Sequence, residues 1–203
     1  MSWIKTISYD ESSGRLRALY DRVKAPDESV DRILQSHSLR PHTLEGHMVL
    51  YKNVLHHSGN RLPKWILETI GVYVSLLNGC SYCVEHHFVG LQKLLGNAQR
   101  AGELRRILER NALNEMADFD ARLEAILIYA RRLTEAPAAI DESEINRLRA
   151  AGLDDGEILE INQVASYFAY ANRTVLGLGV TTQGDVLGLS PNDSEDPENW
   201  RHG

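Results

Sequence analysis

Apolar residues recur at three- and four-residue intervals along nearly the whole chain, the spacing that places them on one face of an α-helix. Few stretches alternate as a half-buried strand would. Breakers divide the pattern into elements. A first helix is predicted over Ser12–Val23, ended by Ala25-Pro26-Asp27, and a short one over Val30–His37, stopped by Leu39-Arg40-Pro41. A longer helix follows from Thr43 to His57. Pro63 stands where a helix start tolerates proline, which predicts a helix over Pro63–Leu77. Asn78-Gly79 suits a left-handed cap, so Cys80 opens a further helix reaching Leu95. Gln99–Glu109, Asp120–Glu135, Asp141–Ala150 and Asp155–Gly177 complete the set. The expected class is all-α. One helical domain over 1–189 is followed by a polar tail, 190–203, in which Trp200 is the one large apolar residue; that tail is either frayed or laid across a neighbour. The run Asp120–Gly179 has a plan like that of Pro63–Ala112, which leaves two related helical halves open.

Composition narrows the function classes. The 203 residues carry 43% hydrophobic and 25% charged side chains, enough for a sizeable core. A formal charge of −6 argues against a nucleic-acid surface, which needs a concentrated basic face. The basic pairs Arg105-Arg106 and Arg131-Arg132 are flanked by acids on solvated helix faces. No apolar run approaches the roughly 18 residues of a membrane helix, and Met1–Asp10 lacks the apolar stretch of a secretory signal. The expected location is the cytoplasm, where two cysteines point to catalysis or metal binding rather than to a structural staple.

Both cysteines lie in one segment, Cys80-Ser-Tyr-Cys83-Val-Glu-His86-His87. At i and i+3 on a helix they share a face and can reach each other. The helix N-terminus favours an anion there, which lowers a thiol pKa and by itself favours Cys80, the nearer to the helix start. His87, four residues after Cys83, falls over the same face and can take or relay a proton. His86, at i+3, is the competing candidate, or else a partly exposed helix residue. Glu68 lies on the preceding helix among Trp65, Ile66 and Ile70, a poor place for a carboxylate unless it is paired or functional. The chain reversal at Asn78-Gly79 can bring it back to the cysteines, to orient the histidine or accept a thiol proton through water. Other readings of the same residues are a buried cysteine pair, an incidental disulfide, or a zinc site of Cys80, Cys83, His87 and Glu68.

The pattern Glu-x11-Cys-x-x-Cys-x-x-x-His, as Glu68, Cys80, Cys83 and His87, resembles the alkylhydroperoxidase-D-like (AhpD-like) branch of the carboxymuconolactone decarboxylase superfamily. Asn78-Gly79-Cys80-Ser81-Tyr82-Cys83, the upstream Ser38-Leu39-Arg40-Pro41 and the later Asn172-Arg173 look like the uncharacterised peroxidase-related proteins of that branch. The resemblance covers roughly Ser36 to Val180. It implies an AhpD-like helical bundle and a cofactor-independent peroxidase that assembles as a homo-oligomer. Carried over, Cys83 is the peroxidatic cysteine and Cys80 the resolving one, with Glu68 and His87 as the proton relay. The resemblance implies hydrogen peroxide or an alkyl hydroperoxide as substrate and an external dithiol or protein reductant, with no metal required. The best-known members carry a histidine between the cysteines, where this chain has Tyr82, a poor base at neutral pH. Tyr82 and His86 are assigned to supporting positions. Two alternatives remain open: a dithiol–disulfide oxidoreductase acting on a protein partner, and a non-catalytic redox-sensing or zinc-binding helical oligomer.

His37, His42, His47, His56 and His57 lack tight ligand spacing and read as surface or core residues. Tyr73 and Tyr167-Phe168-Ala169-Tyr170 read as packing, with a pocket-lining role as the lesser alternative.

Overall fold

The computed structural model describes residues 2–202. Helix α4, Lys64–Leu77, organises the molecule: all ten residues from Ile66 to Ser75 are buried. A helix apolar on every side is covered on every side. Here α5 (Ser81–Leu95), α7 (Leu123–Glu135) and α9 (Asp155–Gly177) pack directly on α4. The remaining helices are α1 (Gly14–Val23), α2 (Arg32–Ser36), α3 (Pro41–Leu55), α6 (Ala98–Arg110) and α8 (Glu142–Ala150). Among the described residues there is no strand, only an isolated antiparallel bridge between Pro191 and His202. The fold is all-α, as the periodicity requires.

Local chemistry sets several boundaries. Asp154 and Glu157 form a reciprocal capping box at the start of α9, and the Asn97 and Asp141 side chains accept N–H bonds at the starts of α6 and α8. Gly79, at φ +68°, makes the reversal between α4 and α5. Helix α3 begins at Pro41 rather than Thr43, because proline occupies the first helical position. Helix α7 begins at Leu123, after a 3₁₀ stretch over Leu113–Asp118 that the periodicity had not marked.

Residues of α4–α6 and of α7–α9 belong to one hydrophobic core, so the two runs do not form separate bodies. A second core joins α1 and α3 to Trp200, which is 1% exposed. The C-terminal segment 190–202 is thereby laid across the protein's own N-terminal helices. Arg22 stacks its guanidinium 3.6 Å from the Trp200 ring, and buried Lys52 donates to the Asn192 carbonyl. His202 Nε2 lies 3.1 Å from the Val23 carbonyl. Just before this strap Gly188 packs on the middle of α5, against Val89 and Gly90, and within it Asp193 pairs with Lys64 at the start of α4. No helix of the described residues is long and apolar enough to cross a membrane.

Candidate active site

Glu68 projects from the buried face of α4, and His87 from the second turn of α5. The reversal at Gly79 brings them together, with His87 Nδ1 2.8 Å from Glu68 Oε2. Glu68 is 3% exposed, and the pairing gives its carboxylate the partner that burial demands. The edge of the Phe168 ring packs against His87, with centroids 4.6 Å apart, and fixes the imidazole from the α9 side.

Cys80 is the N-cap residue of α5 and Cys83 lies in its first turn; both are free thiols, 0% and 3% exposed. The Cys83 S–H donates to Cys80. That hydrogen bond pulls the Cys80 thiol down to about 7, and the N–H groups of Cys83 and Tyr82 at the open helix end reinforce it. The same bond, with burial, pushes the Cys83 thiol well up. The Asn172 carboxamide of α9 hydrogen-bonds to both sulfurs and lowers both thiols. Asn172 is itself held by Ser75 Oγ, to which it donates at 3.0 Å, and by Asn78, whose amide donates to it at 2.9 Å. Of the two thiols Cys80 is therefore the more readily ionised, as the helix-end argument expects.

A cavity of about 60 Å³ opens beside Cys83. It is lined by Cys83, Glu68, His87, Tyr51, Tyr167 and His47, with Asp31 and His86 farther round the wall. Cys80 is not on the wall. The strap forms one side through Gly188–Pro191 and His202. A water needs roughly 10–15 Å³ by this measure, so the space suits a few waters or one small molecule. Among the described residues, no group of three or more His, Cys, Asp or Glu is placed to hold a metal ion.

No family model and no curated protein matches the chain. Solved structures do. The crystal structure of an alkylhydroperoxidase AhpD core protein from Ralstonia eutropha, an uncharacterised peroxidase-related protein, superimposes with a TM-score of 0.77 at 22% identity, over 91% of this chain and 93% of that one. An uncharacterised peroxidase-related protein from Silicibacter gives 0.67 at 26% identity, over 77% and 78% of the two chains. A protein of unknown function from Agrobacterium tumefaciens, a candidate antioxidant defence protein AhpD, gives 0.58 at 20% identity, over 75% and 97%. The fold is AhpD-like.

In this AhpD-like chain Tyr82 is a tie rather than a base. Its hydroxyl donates to Asp185 Oδ2 at 2.6 Å and accepts the Ile33 N–H at 3.2 Å, and burial pushes its pKa well above 10. His86 stacks on the Tyr82 ring, 4.5 Å between centroids, and places Nε2 3.2 Å from Asp185 Oδ2. It is 8% exposed, so the partly exposed reading is replaced by a buried one. The Asp185 side chain is fully buried and also accepts the Arg32 N–H. His37, His47 and His56 are buried and His42 is exposed.

Asp31 and Asp185 escaped the sequence reading, and Asn172 entered it only within the Asn172-Arg173 pair of the resemblance, without a place at the site. Asn172 had a legible signal: it is a polar residue in the apolar stripe Ile158, Ile161, Ala165, Phe168, Val175 of α9. Asp185 lies in an aperiodic segment that carries none. Asp31, preceding α2, reads from sequence as an ordinary helix cap, yet its side chain makes no cap hydrogen bond.

Proposed function

We propose that the protein is a thiol peroxidase that reduces hydrogen peroxide or a small alkyl hydroperoxide with the Cys80–Cys83 dithiol. The observation that carries this reading is the cavity beside Cys83 whose wall also holds the hydrogen-bonded Glu68–His87 pair. The substrate reaches Cys83, while Cys80 waits behind it as the resolving cysteine. The names of the AhpD core and peroxidase-related structures point the same way.

The resting pair Cys83–S–H···S⁻–Cys80 is one proton transfer from reactivity. Passing that proton to Cys80, or through His87 to Glu68, leaves a Cys83 thiolate facing the cavity. Its attack on the peroxide forms an S–O bond and breaks the O–O bond. Cys83 becomes a sulfenic acid and the other oxygen leaves as water or an alcohol after taking a proton. Cys80 then displaces that hydroxyl as water to give the disulfide, and an external dithiol restores both thiols by exchange. Exchange with a protein disulfide as the main activity is disfavoured because both sulfurs are buried and the cavity admits only small molecules.

Peroxide consumption by the dithiothreitol-reduced protein tests this, with Cys83→Ser and Cys80→Ser beside wild type. Turnover by wild type, an inert Cys83→Ser, and a Cys80→Ser that reacts once and stalls as a sulfenic acid are expected. A wild type that ignores peroxide while cycling between dithiol and disulfide overturns the reading.

A further inference from the structure

Two carboxylates, Glu68 and Asp31, stand on the wall of the Cys83 cavity, and a third, Asp185, lies behind Tyr82 and His86; Asp31 is the one without a partner among the described residues. Glu68 is bonded to His87, and Asp185 accepts from Tyr82 and the Arg32 N–H with His86 beside it. Asp31 stands on the cavity wall, and among the described residues no hydrogen bond or ion pair uses its carboxyl group. Asp31 is half-buried there, which disfavours its ionised form without abolishing it, and a protonated carboxyl has an O–H free to donate to whatever fills the cavity.

We propose that Asp31 is the general acid of the peroxide step, giving its proton to the oxygen that leaves as Cys83 is oxidised. This rests on the peroxidase reading above. The step balances as Cys83–S⁻ + ROOH + Asp31–COOH → Cys83–SOH + ROH + Asp31–COO⁻, after which Asp31 regains a proton from solvent. Cleavage puts the developing charge on the oxygen farther from sulfur, and a small alkoxide or hydroxide is a poor leaving group unless protonated as it departs. Glu68 and His87 are committed to the thiol proton and come from α4 and α5, whereas Asp31 enters from the start of α2. Burial lifts the Asp31 carboxyl to about 6, so the acid form persists toward neutral pH. His86, Asp185, His202 and His87 are the charged or titratable groups that bear on it.

Leaving-group dependence tests the assignment. Peracetic acid expels acetate, a stable anion that needs no proton, whereas tert-butyl hydroperoxide and hydrogen peroxide expel strong bases. In single-turnover oxidation of the full-length reduced protein, Asp31→Asn is expected to slow both of the latter by about 10²-fold. It should leave the peracetic acid rate nearly unchanged, which also shows that the variant is folded and its thiolate intact. Asp31→Glu, which keeps an acid, should recover part of the loss. Equal slowing on all three oxidants, or no slowing on any, overturns the role of Asp31. Inertness of wild type toward all three instead overturns the peroxidase reading, and Asp31 with it.

Discussion

The hydrogen bond between Cys80 and Cys83 makes the thiol that does not line the cavity the more acidic of the two. This separates two properties that a sequence reading tends to merge, acidity and access. Helix-end electrostatics identify Cys80 as the more acidic thiol, while access and the Glu68–His87 pair favour Cys83 as the nucleophile. The arrangement has a measurable consequence. Cys83→Ala removes the S–H donor that is the largest cause of the low Cys80 pKa, so Cys80 should titrate well above 7 in that variant. Thiolate absorbance near 240 nm against pH reads this directly: wild type should show one thiolate forming near pH 7, and the variant should show it displaced upward. An unchanged titration would mean that the helix end alone holds the charge. Tyr82 shows the limit of residue-level reading. Its presence between the cysteines was visible, but its partner Asp185 lies 103 positions away in sequence and could not be paired from pattern.

At the scale of elements, α4 packs closely against α9. A Cβ built on Gly71 would stand 2.2 Å from the Phe168 ring, whose own side chain is fully buried and cannot swing away. Gly71→Ala gains helix propensity of up to about 1 kcal/mol, but overpacking of a filled core costs about 1–3 kcal/mol or more. Net destabilisation is expected, read as a lower denaturant midpoint. Because Phe168 also packs against His87, the displaced ring should disturb the Glu68–His87 pair and lower peroxide turnover. A variant as stable as wild type would show that α9 can move outward freely. The same helices were the most legible part of the sequence. Their apolar stripes are long, and Gly79 and Pro63 punctuate them by known chemistry. The 3₁₀ stretch 113–118 was not legible, since so short an element has no period to detect. Glu68, Cys80, Cys83 and His87 were found through their spacing, while Asp31 and Asp185 sit outside any helix and leave no repeat to read.

The whole molecule adds two features that no single element shows. Three buried imidazoles, His37, His47 and His56, have their pKa values lowered by burial, that of His47 to about 3. A depressed folded pKa means that acid protonates the unfolded chain first, so stability present above pH 6.5 is lost as pH falls through 6.5 toward 3. Each such group contributes a slope of up to about 1.4 kcal/mol per pH unit. Asp31, raised to about 6, opposes them by one proton below that pH. Urea unfolding at pH 7 and pH 5 should therefore show lower stability at pH 5, with a smaller difference in His56→Phe; a flat profile would mean that these rings gain partners in solution. The strap is the second feature. It walls part of the Cys83 cavity, follows directly on the segment that supplies Asp185 to Tyr82, and is anchored by Trp200, buried against α1 and α3. Truncating a buried aromatic costs about 3–5 kcal/mol, and here the loss falls on the joint that holds the strap down. If that anchor keeps the cavity closed, Trp200→Ala should lower stability and also speed the reaction of the reduced thiols with a bulky disulfide reagent under native conditions. Faster thiol reaction at a denaturant-free temperature well below unfolding would identify the strap as the barrier between the dithiol and a large reductant. Destabilisation with unchanged thiol reactivity would mean that the strap stays in place through Asp185, Lys52 and His202 when its aromatic anchor is gone.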